Sequence, residues 1–143
     1  MSFMSGNVFV DTNILVYAHD RAAGVRHDVA AQVMDACWSS GTGRISVQVL
    51  NEFFVTVTRK LKPGMPPEKA WEHCSVLFAW NPMGLDVQVM EEGWRIYRRY
   101  KLSWWDALIV GTAILSRCEV LYSEDLVDGQ LIDGVRIVNP FNR

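Results

Sequence analysis

The stretch Val8-Phe9-Val10-Asp11-Thr12-Asn13-Ile14-Leu15-Val16-Tyr17 decides the fold. A short apolar run ending in an aspartate, then two small polar residues and a second apolar segment, predicts a buried β-strand that turns into a helix. Asp11 then stands at the carboxyl end of the strand. In open α/β sheets this is the edge where ligands bind, because the connecting loops converge there on one crevice. One carboxylate decides nothing by itself, since an aspartate just before a helix also serves as its N-cap.

Downstream, residues 24–38 carry Val29, Val33 and Cys37 at helical spacing, with Ala30 and Met34 beside them. Gly41-Thr42-Gly43 ends that helix, Arg44-Ile45-Ser46 reads as a short strand, and Ser46 is placed to cap the next helix. There Leu50, Phe53, Phe54, Val57 and Leu61 form an apolar stripe, and Glu52 lies off it on a polar face with Gln48, Thr56 and Arg59. Lys62-Pro63-Gly64 closes this helix. Pro66-Pro67 opens another, with Ala70, Trp71, Cys74, Leu77 and Phe78 on one stripe.

After the turn Asn81-Pro82-Met83-Gly84, Leu85-Asp86-Val87 reads as a short strand leading into a helix over 88–100. Arg95, Arg98 and Arg99 make one basic stripe on it, either a solvated face partly neutralised by Glu91 or a surface for phosphate contacts. Ser103-Trp104-Trp105-Asp106 begins a helix running to about residue 117, apolar almost all round and therefore buried. Glu119-Val120-Leu121-Tyr122 is a strand with Ser123-Glu124-Asp125 as its exit loop. Asp128-Gly129 is a turn, and Val135-Arg136-Ile137-Val138 a last short strand. This order predicts a three-layer α/β fold with a parallel sheet between helices. No composition shift splits the 143 residues, so one domain over 1–143 is expected.

The bulk composition narrows the function. Half of the chain is hydrophobic and 21% charged, as in a globular protein. No apolar stretch is long enough to span a bilayer and the first residues lack a signal-peptide pattern, so a cytoplasmic protein is expected. Cys37, Cys74 and Cys118 are odd in number and widely spaced, which speaks against disulfides and paired-cysteine zinc sites. His19, His27 and His73 show no metal spacing either, so any metal is expected on oxygen ligands. A net charge of −2 gives no global attraction for nucleic acid.

Chain direction alone gathers four acids. In a parallel sheet all strands end at one edge, and the crossover helices start there to run back. Asp11 and Asp125 then lie just past strand ends, and Glu52 and Asp106 in the first turns of helices. Each also has a plainer role: Asp11 as an N-cap, Glu52 as a solvated helix residue, Asp106 in a capping box with Ser103, Asp125 in a turn. Together they are acids that repel unless a cation joins them. A hard divalent ion, Mg²⁺ or Mn²⁺, suits such carboxylates, and one or two such ions support in-line displacement at phosphorus.

Val10-Asp11-Thr12-Asn13, Asn51-Glu52-Phe53, Trp105-Asp106-Ala107 and Ser123-Glu124-Asp125-Leu126 resemble the PIN domain. Within it the chain looks most like the VapC-type ribonuclease toxins of bacterial type II toxin–antitoxin pairs. The resemblance implies a Mg²⁺-dependent endoribonuclease with Asp11, Glu52, Asp106 and Asp125 as its acidic site, Asp11 and Asp106 the firmest metal ligands. Thr12, Asn13 and Ser123 match the small polar positions that orient the carboxylates, and Glu124 competes with Asp125 for the last ligand position. The resemblance also implies RNA as substrate, a homodimer, and a small antitoxin packing beside the acidic site. A housekeeping RNA-processing nuclease and a PIN-like module that only binds RNA or protein keep the same fold. A phosphoryl-accepting receiver would need a lysine at a late strand end, and the last strands have none.

Overall fold

The computed structural model describes residues 6–143. Strands β1 (Asn7–Val10), β2 (Gly43–Arg44), β3 (Cys118–Tyr122), β4 (Leu131–Ile132) and β5 (Val135–Val138) form one sheet in the order β2-β1-β3-β5-β4. All neighbours are parallel except β4, which pairs antiparallel with β5. Helices α1 (Thr12–Ala18), α2 (Val25–Ser40), α3 (Val47–Val55), α4 (Pro67–Val76), α5 (Val87–Arg99) and α6 (Trp104–Leu115) complete an α/β/α arrangement. No described helix is long and apolar enough to cross a membrane.

The apolar run of β1 puts Phe9 and Val10 at zero exposure in the centre of the sheet, and Ile14 and Leu15 of α1 continue the same core. Val10 pairs in register with Tyr122 of β3. The next residues, Asp11 and Ser123, are therefore side by side at the carboxyl edge, as the chain-direction argument requires. Side-chain caps start the helices that return from this edge. Ser46 Oγ accepts from Val49 N at 3.2 Å, and Ser103 Oγ from Asp106 N at 3.1 Å. The second of these orders the turn that carries Asp106.

Helices α5 and α6 touch almost backbone to backbone. A Cβ built on Gly111 would lie 3.0 Å from Gly93 N and 3.3 Å from Gly93 Cα, atoms that cannot rotate away. Gly111→Ala should therefore push α5 off α6 and lower the unfolding free energy by about 1–3 kcal/mol. A urea titration with an unchanged midpoint would show that the two helices have room to separate.

Four sequence expectations need correction. Leu85-Asp86-Val87 is not a strand: Asp86 caps α5, its Oδ1 accepting from Val89 N at 3.0 Å. The extended residue nearby is Met83, whose N–H donates to Ile45 O and whose carbonyl accepts from Val47 N. Between the expected turn at Asp128-Gly129 and the last strand, Leu131–Ile132 adds a further strand, β4, which forms a hairpin with β5 across Asp133-Gly134. Trp71 and Phe78 do not join the buried stripe of α4. Both are exposed and pack edge-on against each other at 5.7 Å, while Ala70, Cys74 and Leu77 face the core. Finally, α3 does not stay α-helical to residue 61 but widens into a π segment over Thr56–Lys60. The remaining boundaries shift by one or two residues, as at α2, which ends at Gly41 in the left-handed conformation (φ +71°). All three cysteines are buried and unpaired, as expected.

Candidate active site

Asp11 is both an N-cap and a buried acid. Its Oδ1 accepts from Thr12 N at 2.7 Å and its Oδ2 from Ser123 Oγ at 2.8 Å, and the residue is only 4% exposed. Burial pushes its carboxyl up to about 7, against the pull of these two donors. The negative charges of Asp125 and Asp106 push the same way. Asp106, half-buried at the start of α6, is also raised, first by burial and further by Asp125 and Glu52. Asp11, Asp106 and Asp125 thus act on one another, and Glu52 acts on Asp106, although the four come from the end of β1, α3, α6 and the loop after β3.

The other two acids are aimed by neutral donors. Thr12 Oγ1 donates to Glu52 Oε1 at 2.5 Å, and Gln48 Nε2 to Glu52 Oε2 at 3.1 Å. Gln48 Nε2 also donates to the carbonyl of Trp105 at 3.3 Å, so one amide ties the Glu52 carboxylate to the turn that carries Asp106. Among the described residues Gln48 Oε1 has no partner. Asn13 Nδ2 donates to Asp125 Oδ2 at 3.1 Å, while Asn13 Oδ1 accepts from Glu124 N. Ser123 Oγ also accepts from Asp125 N, so one buried hydroxyl orders both Asp11 and the loop.

Glu124 faces another way. Tyr17 Oη donates to its Oε1 and Arg26 Nε to its Oε2, both at 2.6 Å. Of the two adjacent acids, Glu124 is neutralised by a cation and Asp125 is not. The sequence contains no signal for this pairing, because Arg26 is 98 residues away on α2.

Among the described residues no ion pair involves Asp11, Glu52, Asp106 or Asp125. Nor do three His, Cys, Asp or Glu side chains there converge tightly enough to enclose an ion by themselves. The donor set fits a hard divalent cation: it is all carboxylate oxygen, with uncompensated charge around a buried member. Carboxylate oxygen is the donor type that Mg²⁺ takes, and Mg²⁺ is usually held by only one or two such groups with waters completing its shell. An open cavity of about 620 Å³ lies alongside, lined by Thr12, Asn13, Val16, Tyr17, Asn51, Glu52, Val55, Thr56, Lys60 and Asp125.

The arginine stripe lies elsewhere. Arg95 forms ion pairs with Glu92 and with Asp133 in the β4–β5 turn, rather than with Glu91. Arg98 stacks over Trp94 and Arg99 over Tyr100. The three arginines and Trp94 line their own shallow cavity and take no part in the one beside Asp125.

With this geometry in hand, the sequence profile of the PIN domain matches residues 8–127. The chain belongs to the PIN domain family. No curated protein matches the sequence. Among solved structures, this PIN domain is similar to a chain of a toxin–antitoxin complex from Klebsiella pneumoniae, with 26% identity and a TM-score of 0.67 over 94% of this chain and 98% of that one. It also shares its fold with VapC20 of Mycobacterium tuberculosis, a toxin that cleaves the sarcin-ricin loop. There the identity is 20% and the TM-score 0.63, over 83% of this chain and 90% of that one.

Proposed function

We propose that this PIN domain is a Mg²⁺-dependent endoribonuclease, the toxin of a type II toxin–antitoxin pair. The reading rests on one observation above all: a buried carboxyl, Asp11, with Asp106 and Asp125 beside it and no cation paired to any of them among the described residues. Asp11, Asp106, Asp125 and Glu52 would hold the ion, Mg²⁺ or Mn²⁺, with Thr12, Asn13 and Ser123 aiming the carboxylates. When bound, the ion would make a water acidic enough to lose a proton and serve as the nucleophile at phosphorus, and would offset the charge gained by the phosphate oxygens.

The chain's own residues have distinct tasks in this scheme. Thr12 and Gln48 clamp both Glu52 oxygens and so fix the direction of its carboxyl group. Asn13 and Ser123 fix Asp125, and the Arg26–Glu124 pair keeps the neighbouring acid out of the site. Lys60 supplies a positive charge to the wall of the groove. Arg95, Arg98 and Arg99 would serve as a separate, sequence-independent contact to RNA phosphates. A small antitoxin that packs along the groove, a homodimer and a cytoplasmic location complete the proposal. The similarity to a chain of a toxin–antitoxin complex supports the antitoxin.

The deciding experiment incubates the purified protein with total RNA, with Mg²⁺ or with chelator, and maps the cut ends. Discrete cuts only with the ion, and none from Asp106→Asn, are expected. Equal cutting by that variant, or cutting in chelator, would reject the site. Expression from its own operon should also bring down a small partner in stoichiometric amount; its absence would favour a housekeeping nuclease.

A further inference from the structure

We infer that the cavity between α3 and α6 is a binding subsite for one unpaired nucleobase, which stacks on Trp105 next to the scissile phosphate. This rests on the nuclease reading above and adds to it a class of contact and a residue outside the acidic set. The cavity has a volume of about 370 Å³ and is lined by Val47, Gln48, Asn51, Glu52, Leu85 and Trp105. That is within the range of small-ligand sites.

Three observations point to a base. Trp105 is 57% exposed although it directly precedes Asp106 in a helix whose following turns are buried. Its indole is not turned inward with Ala107, Leu108 and Ile109. Second, the site is held rigidly: the Trp105 carbonyl accepts from Gln48 Nε2, which also donates to Glu52, so the backbone beneath the indole is fixed relative to the carboxylate. Third, the cavity adjoins the larger one beside Asp125, since Asn51 and Glu52 line both. A strand whose phosphate lies against the acids therefore has this cavity within reach of a neighbouring nucleotide.

The chemistry of the walls favours a base over a phosphate. Val47 and Leu85 offer apolar edges, both exposed, and the only charge is the negative one of Glu52. Phosphate is repelled there. A flat, uncharged ring is accepted, and base–aromatic stacking tolerates every base because each has a π-face. Double-stranded RNA cannot present a base this way, so the subsite selects for loops, bulges and single strands.

The test measures binding of fluorescein-labelled octamers of adenylate, cytidylate and uridylate to the protein with Ca²⁺ in place of Mg²⁺, which offsets the charge of the acids, over a range of monovalent salt. Trp105→Ala should weaken the tightest of the three by about tenfold. The slope of log affinity against log salt should stay unchanged, because no phosphate contact is lost. Trp105→Phe should restore affinity to within about threefold of the parent, since a ring is kept. Unchanged binding by Trp105→Ala overturns the subsite, and so does a loss that phenylalanine fails to rescue. A variant that binds RNA normally but releases a co-purifying small protein assigns the cavity to that protein instead. The two readings fail separately: a parent that stacks RNA through Trp105 without cutting it removes the nuclease, and one that cuts RNA with Trp105→Ala indistinguishable removes only the subsite.

Discussion

Asp11→Asn is expected to abolish ion-dependent RNA cutting, by about 10³-fold or more, while leaving the protein folded. Asp11 is the most deeply buried of the four acids and the one whose ionisation is most opposed. An asparagine keeps the shape, and its Oδ1 can still accept from Thr12 N. Its Nδ2 can donate to Ser123 Oγ. What disappears is the negative charge that the neighbouring acids resist and a divalent ion rewards. In chelator at pH 8 the variant should therefore unfold at a higher urea concentration than the parent, because burying a neutral amide is easier than burying a carboxylate. Cutting by Asp11→Asn within about threefold of the parent would remove Asp11 from the chemistry, since losing an essential group costs far more than that.

The second large effect is on stability. With its carboxyl at about 7 in the folded protein and 3.8 as the ordinary value, Asp11 holds a proton between these limits that the unfolded chain has already released. Its contribution to stability is complete below about pH 4 and is lost as the pH rises through 7. The raised Asp106 acts in the same direction. For Asp11 alone the change is on the order of 4 kcal/mol. Urea midpoints in chelator should accordingly fall between pH 5 and pH 8 for the parent, and fall much less for Asp11→Asn. Millimolar Mn²⁺ at pH 8 should recover stability, by about 2.7 kcal/mol at a hundredfold excess over its dissociation constant. A metal-free parent that grows more stable from pH 5 to pH 8, by more than the variant does, would contradict the buried-acid description.

Chain direction carried the sequence reading a long way, because parallel strands leave little freedom in where their ends go. Asp11, Asp106 and Asp125 are brought within electrostatic reach of one another in this way, and Glu52 within reach of Asp106. Glu52, expected in the first turn of its helix, stands one turn further along α3. What chain direction missed depends on side-chain partners far away in the chain. Arg26 and Tyr17 occupy Glu124, and nothing in Ser123-Glu124-Asp125 reveals which acid stays free. Gln48 appeared only as a member of a polar helix face, yet its amide joins Glu52 to the Trp105 turn. The one cue was its position four residues before Glu52, where helix geometry brings two side chains together. Spacing alone puts Trp71 and Phe78 with the core, because it ranks hydrophobic residues without regard to how wide the neighbouring layer is, and both are exposed. The β4–β5 hairpin escaped because two residues are too few for any alternation to register.

The two outermost strands, β2 and β4, have two residues each. So short a rim offers almost no unpaired backbone for another sheet to extend, which guards the folded chain against edge-to-edge aggregation. Association between copies is thereby left to helix surfaces and their side chains, where contacts are selective and sequence can adjust them one residue at a time.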